Sequence, residues 1–263
     1  MAQLLILGVV ALMLVLAFVL INLTAHIFIF LGILIGIIAI AFVLVVVILN
    51  FCFIILENEK YTDLQRWQFA SWMVRMATPI LTFSRTEMEG LEKLDESHVK
   101  TGVIYPNHQS ICDVFSLGST IKRRHAYVAK KEVADVFLLK RAMEASGCIL
   151  LDRQDPRAAV KSINEMARAV KEGILMVIFP EGTREIKAPM GTFKAGSFKA
   201  ALKAKADIIP MTIFNSYEVA KRWPRPTTIR VKVHDPIPYE AYKDMGTHEI
   251  AHMVETIVKE GLV

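Results

Sequence analysis

The residues best suited to chemistry lie in three short stretches. The first reads Asn107-His108-Gln109-Ser110-Ile111-Cys112-Asp113. His108 and Asp113 are too far apart to share one face of a single helix, because a five-residue separation at 3.6 residues per turn places them about 140° apart. A helix starting at Ser110 removes the difficulty. His108 then lies in the loop before the helix, and Asp113 lies in the first turn and can point back. Ser-x-x-Asp has the form of a capping box, which supports that start. A histidine oriented by a carboxylate is a general base near neutral pH, with the carboxylate fixing the tautomer and stabilising the imidazolium. A capped helix with an incidental histidine has the same sequence, so the pair alone does not decide.

The second stretch ends in Asp152-Arg153, and the third reads Phe179-Pro180-Glu181-Gly182-Thr183-Arg184. An arginine at the end of a buried strand can grip a phosphate with two parallel hydrogen bonds. Gly182 permits close approach of the backbone to a ligand. A Pro-Glu-Gly turn without function fits the third stretch equally well. Ser110 and Cys112 are conceivable nucleophiles beside His108, but neither sits in a Gly-x-Ser-x-Gly elbow.

These loops need strands and helices to hold them. From Thr86 onward short apolar runs alternate with helical patterns. The candidate strands are Gly102–Tyr105, Ala126–Ala129, Cys148–Leu151, Ile174–Phe179, Ile208–Phe214 and Thr228–His234. Their continuous apolar character is that of strands covered on both faces. Helices are expected over Glu132–Ser146, Gly196–Ala206 and much of Tyr239–Glu260. The clearest runs from an Asp155 N-cap, through Pro156 at its first position, to Gly173. The fold class predicted is α/β: a mostly parallel or mixed sheet flanked by helices. Chemistry in such sheets belongs to the loops at the carboxyl ends of the strands, where the three stretches fall.

Charge divides the chain. The segment Ala2–Leu56 contains no Asp, Glu, Lys or Arg, so the 31 basic and 26 acidic residues behind the net +5 all follow it. Such a run exceeds the ~20 residues of one spanning helix. Asn22, Thr24 and His26 form its polar cluster, which suggests a turn there and a helical hairpin over 1–56. No charged start or small-residue cleavage site marks a signal peptide. Lys60, Arg66, Arg75 and Arg85 follow the segment and place the remainder on the cytoplasmic side of the membrane, whether the hairpin spans or enters one leaflet. Residues 57–85, with Trp67 and Trp72, read as an interfacial helix or an ordinary core helix, and 86–263 as the catalytic domain. The basic excess suits anionic lipid surfaces. No basic run interleaved with aromatics points to nucleic acid. Cys52, Cys112 and Cys148 show no metal-ligand spacing and read as reduced thiols.

The motifs taken together resemble the glycerolipid acyltransferase family, over roughly residues 86–215. The resemblance rests on Asn107-His108-x-Ser110-x-x-Asp113, Gly147-Cys148-Ile149-Leu150-Leu151-Asp152-Arg153, Phe179 to Arg184 and Ile208-Ile209-Pro210-Met211-Thr212, in that order. The family commonly has an aromatic where Leu150 stands. The resemblance implies that His108 is the base and Asp113 its orienting partner. It further implies that Arg153, Glu181, Gly182, Thr183 and Arg184 serve the glycerol phosphate, that Pro180 and Pro210 shape the site, and that Lys130 and Lys131 neighbour the phosphate. The lysine pair reads equally well as a solvated helix start. The implied reaction takes an acyl group from coenzyme A or acyl carrier protein to the hydroxyl of lysophosphatidate, with no metal or bound cofactor. Backbone amides near Gly182 or Ser110 are the expected oxyanion donors. Another lysophospholipid, or glycerol 3-phosphate, is an alternative acceptor. A non-catalytic lipid-binding protein of the same fold is the alternative of another class.

Overall fold

A computed structural model describes residues 2–135, 137–152, 155–184 and 190–262. The chain forms two compact units, Met1–Ile55 and Leu56–Val263.

The first unit is one uninterrupted helix, α1 (Ala2–Leu56). The expected hairpin is absent, for a local reason. Asn22 Nδ2 donates to Phe18 O at 2.8 Å, Thr24 Oγ1 donates to Ile21 O at 2.8 Å, and His26 Nδ1 lies 2.7 Å from Asn22 O. Each polar side chain is satisfied by its own helix, so the cluster does not turn the chain. Residues Met13–Leu56 are long and apolar enough to cross a membrane.

The second unit opens with α2 (Asp63–Thr82), capped by a reciprocal Thr62–Gln65 box. Trp67, Ala70, Ser71, Thr78 and Thr82 are buried, so this face belongs to the core of the domain. The opposite face carries Trp72, Met76 and Ile80 into solvent. The buried face meets the expectation of a core helix of the domain.

The strands are β1 (Ser84–Glu89), β2 (Gly102–Pro106), β3 (His125–Lys130), β4 (Ile149–Leu151), β5 (Leu175–Val177), β6 (Asp207–Phe214) and β7 (Thr227–Val233). They form one seven-stranded sheet in the order β1-β7-β6-β2-β5-β3-β4. Strands β6, β2, β5, β3 and β4 are mutually parallel; β7 runs antiparallel to β6, and β1 parallel to β7. The sheet is thus mixed. Strand β1 escaped the sequence reading because Ser-Arg-Thr-Glu-Met-Glu has no apolar run. It is an edge strand, and its alternating exposure shows that only one residue in two turns inward.

The helices are α3 (Cys112–Thr120), α4 (Phe137–Ala145), α5 (Pro156–Lys171), α6 (Lys199–Ala204), α7 (Glu218–Arg222), α8 (Tyr239–Tyr242) and α9 (Thr247–Gly261). The α5 expectation is met closely: Asp155 caps it, and Gly173 leaves it at φ +86°, a conformation that favours glycine. Glu132–Ser146 is instead a 3-10 turn (Lys131–Asp135) followed by α4, and Tyr239–Glu260 is divided into α8 and α9. One core packs Met166, Val170, Phe198, Val254 and Val258 with Val103 and Met176. The other packs Leu117 and Ile121 with Ile104, Ile209 and Ile229. Adjacent residues of β2 and β6 thus enter different cores, as strands covered on both faces require.

His125, at the start of β3, is buried beneath α2. Trp67 Nε1 donates to its carbonyl at 2.9 Å, and its own Nδ1 lies 2.8 Å from Arg123 O. Burial pushes its pKa down from 6.5 to about 4, and the charge of Arg75 pushes the same way. The folded imidazole stays neutral where the unfolded one protonates, so acid favours unfolding. The contribution is complete above pH 6.5 and lost as pH falls toward 4, at up to about 1.4 kcal/mol per pH unit. Thermal unfolding at pH 7 and pH 5 checks this. The native chain should lose more stability on acidification than His125→Gln, and equal losses would contradict it.

Candidate active site

Strand β2 ends at Pro106, and the next residue prolongs its pairing by side chain. Asn107 is fully buried, accepts Ile213 N–H at 2.7 Å and donates Nδ2–H to Ile213 O at 3.0 Å. The amide acts as one more rung between β2 and β6. It fixes where His108 leaves the sheet. Gln109, also buried, accepts from Ser216 Oγ at 3.3 Å and ties the same loop to the segment after β6.

The helix behind this loop starts later than the sequence suggested. Helix α3 begins at Cys112, with Ile111 rather than Ser110 at the N-cap. The box is nonetheless half built. Ser110 Oγ accepts from Cys112 N at 3.2 Å, and the Asp113 carboxylate turns back over the loop. Its Oδ2 lies 2.7 Å from His108 Nδ1 and accepts the amides of Gln109 at 2.7 Å and Ser110 at 2.8 Å. Three donors converge on one oxygen of a side chain that solvent does not reach. The backbone amides identify that atom as an acceptor, so the proton of the third contact belongs to His108 Nδ1. Nε2 is then the basic nitrogen. The imidazole stacks on Phe179, with ring centroids 4.0 Å apart at 24°.

The third stretch meets the first through Glu181. Its carboxylate is 2% exposed. Oε1 accepts His108 N–H at 2.6 Å, and Oε2 accepts Gly191 N–H at 2.7 Å. The substrate-binding role implied for Glu181 meets a different geometry: the carboxylate faces inward onto backbone. Pro180 is buried and accepts Lys194 N–H at 2.9 Å through its carbonyl. Gly182 turns the chain at φ +72°, its N–H donating to Phe179 O at 3.1 Å. Thr183 and Arg184 follow, exposed.

The remaining predicted residues fall at several places. Lys130 ends β3, exposed. Lys131 Nζ stands 3.6 Å from Asp152 Oδ2. Both lie at the carboxyl edge of the parallel strands, as His108 does, since Lys130 pairs in register with Leu151. Arg153 lies outside the described residues. Pro210 lies inside β6 opposite Tyr105, its carbonyl accepting His234 N–H at 3.0 Å. It supports the sheet below the site. Three of the amides near the expected oxyanion position are otherwise engaged: Ser110 N–H by Asp113, Cys112 N–H by Ser110 Oγ, and Gly182 N–H by Phe179 O. Burial pushes the Cys112 thiol above its ordinary pKa, so it is a poor nucleophile. Among the described residues, no group of three or more His, Cys, Asp or Glu is placed to hold a metal ion.

Sequence reasoning missed the structural partners. Phe179 was visible only as part of a motif. The Gln109–Ser216 and Glu181–Gly191 contacts join residues of unremarkable type, and no local pattern announces them.

Comparison with known proteins identifies the family and the fold. The acyltransferase family model matches residues 85–214, from the start of β1 to the end of β6. An uncharacterised acyltransferase of Schizosaccharomyces pombe is 32% identical over 197 residues, 72% of this chain and 68% of that protein. A 1-acyl-sn-glycerol-3-phosphate acyltransferase of Pseudomonas aeruginosa is 29% identical over 75% of each chain. A chloroplast 1-acyl-sn-glycerol-3-phosphate acyltransferase of Brassica napus is 29% identical over 66% of this chain, which spans about half (52%) of that longer protein. The crystal structure of the 1-acyl-sn-glycerophosphate acyltransferase PlsC from Thermotoga maritima shares the fold, with a TM-score of 0.65 at 22% identity, covering 81% of this chain and 85% of that one. With its motifs in order on the matching sheet, this chain belongs to the acyltransferase family.

Proposed function

We propose that this protein transfers a fatty acyl group from an acyl thioester to the sn-2 hydroxyl of 1-acylglycerol-3-phosphate, giving phosphatidate. The observation that carries the reading is the His108–Asp113 contact of 2.7 Å at the carboxyl edge of the sheet, on a carboxylate closed to solvent. The activity for which the Pseudomonas and Brassica relatives are named supplies the acceptor.

The reaction follows from the tautomer. His108 Nε2 takes the proton from the acceptor hydroxyl as that oxygen attacks the thioester carbonyl. Asp113 stabilises the imidazolium formed. The tetrahedral adduct collapses, the C–S bond breaks, and the imidazolium returns its proton to the departing thiolate. Coenzyme A and acyl carrier protein present the same thioester, so either serves as donor in this scheme. Arg184, exposed beyond the Gly182 turn, grips the phosphate, and Lys130 and Lys131 add positive charge at the same sheet edge. Glu181 is assigned a different task from the one its motif implied: it holds the backbone of His108. Helix α1 anchors the chain in the membrane, and the basic residues after it support the cytoplasmic side for the catalytic unit.

Steady-state turnover of purified full chain, with lysophosphatidate and an acyl thioester, tests the scheme by thiol release. His108→Ala should lower turnover by roughly 10²–10⁴-fold, the usual worth of a general base. Asp113→Asn should fall short of that loss. The amides of Gln109 and Ser110 hold the remaining oxygen where Oδ2 lies, so the histidine keeps its tautomer and only the charge is lost. Near-normal turnover of folded His108→Ala sinks the assignment. Turnover with glycerol 3-phosphate in place of lysophosphatidate moves the acceptor.

Arg184→Ala should raise KM for the phosphorylated acceptor by an amount worth about 1.5–3 kcal/mol, the range for a hydrogen bond to a charged group. KM for the donor should stay put, and equal rises for both substrates would remove Arg184 from the phosphate site. Glu181→Gln can accept only one of the two amides. It should lower kcat about 10-fold or more through displacement of the base, with acceptor KM little changed. A rise in acceptor KM at constant kcat would return Glu181 to the substrate.

A further inference from the structure

We infer that the exposed loop after α7 is a lipid-contacting element, which seats the catalytic edge of the domain on an anionic bilayer surface. The last two residues of α7 and the loop after it read Lys221-Arg222-Trp223-Pro224-Arg225-Pro226, and every one of these residues is exposed. Trp223 is the informative member: a large amphipathic ring left 58% accessible. Indole rings left at a surface suit the boundary between headgroups and acyl chains, where an apolar body and a polar N–H are both accommodated.

Three features specify the occupant. The first is charge. Arg222 pairs loosely with Glu218 at 3.7 Å, while Lys221 and Arg225 have no ion pair among the described residues. Cations on either side of an exposed tryptophan complement an anionic headgroup layer. The second is continuity. Trp223 meets Phe83 edge to face, with centroids 5.8 Å apart. Phe83 closes α2, whose outward face presents Ile80 at 71% exposure. The loop therefore extends an apolar face that already exists. The third is position. The loop joins the end of β6 to the start of β7, and Ser84 at the start of β1 pairs in register with Thr227. Strand β6 is parallel to β2, and Ser216 reaches Gln109 beside the base. The loop and Phe83 thus lie at the same edge of the sheet as His108.

An acceptor that resides in the bilayer needs that edge turned toward the lipid. The inference rests on the lipid-acceptor reading in this respect, and its test does not depend on turnover. Full chain carrying Trp72→Phe is reconstituted into vesicles of phosphatidylcholine and phosphatidylglycerol, with and without bromine on the acyl chains. Trp67 is buried, so Trp223 is the accessible indole that remains. Brominated lipid should quench its emission to roughly half, as expected for a ring at the headgroup boundary. Adding Trp223→Phe should abolish that loss. Replacing Lys221, Arg222 and Arg225 by serine should weaken quenching in the anionic vesicles more than in phosphatidylcholine alone. A tethered domain held off the surface would show no difference between Trp72→Phe and Trp72→Phe/Trp223→Phe, and that result overturns the inference. Quenching in a chain that fails to acylate lysophosphatidate upholds the lipid contact while removing the acceptor.

Discussion

The site depends on a buried carboxylate. Asp113 is closed to solvent, and ionised carboxylates are costly to bury unless hydrogen bonds replace water. Three donors converge on Oδ2, while Oδ1 is buried with no hydrogen-bond partner among the described residues. This asymmetry separates two duties that one carboxylate often performs together. The amides of Gln109 and Ser110 orient the group, and the group in turn orients His108. The charge remains to balance the imidazolium. The start of α3 must therefore come after Ser110, because a helix beginning earlier would turn those amides along its axis instead of onto the carboxylate.

A second carboxylate carries the constraint outward. Glu181 holds the backbone of His108 with one oxygen and Gly191 with the other. The histidine is thus fixed at three levels: its main chain by Glu181, its ring nitrogen by Asp113 and its ring face by Phe179. Asn107 sets the point from which all three operate. Two of these groups come from the stretch after β5, which lies about seventy residues along the chain, by the residue numbers of His108 and Phe179. Strand β5 pairs directly with β2, and that adjacency is what makes the contact possible.

Much of this was legible in the sequence, and the limits have physical causes. Six strands were readable because continuous apolar runs mark strands covered on both faces. Ser84–Glu89 was not, because in this edge strand only alternate residues turn inward and just Ser84 is buried. Asp155 and Gly173 bounded α5 because caps and left-handed glycines act locally. The turn expected at Asn22 to His26 failed for the complementary reason: a polar residue inside an apolar helix can bond to its own preceding turn. His108 and Asp113 were legible as a pair because their spacing constrains the start of one helix. The inward aim of Glu181 was not legible. A motif records which residue occurs, whereas the direction of its carboxylate is set by amides that tertiary structure brings near.

The mixed sheet explains why chemistry and exposed apolar surface share an edge. In a wholly parallel sheet every strand enters from the edge opposite the catalytic loops. Here β7 reverses against β6, and β1 follows β7. Both strands therefore begin at the edge where β2 and β6 end. The segment that delivers the chain into β1 is the end of α2, with Phe83 in a left-handed conformation at φ 48°. The segment that delivers it into β7 is the loop bearing Trp223. A left-handed conformation costs a bulky residue that glycine would avoid. Phenylalanine here turns its ring against Trp223, half-exposed and beyond the core. Core packing gives no return for that cost. The edge-to-face contact with Trp223 does, and the reversal of two strands is what brings that pair to the edge of the base.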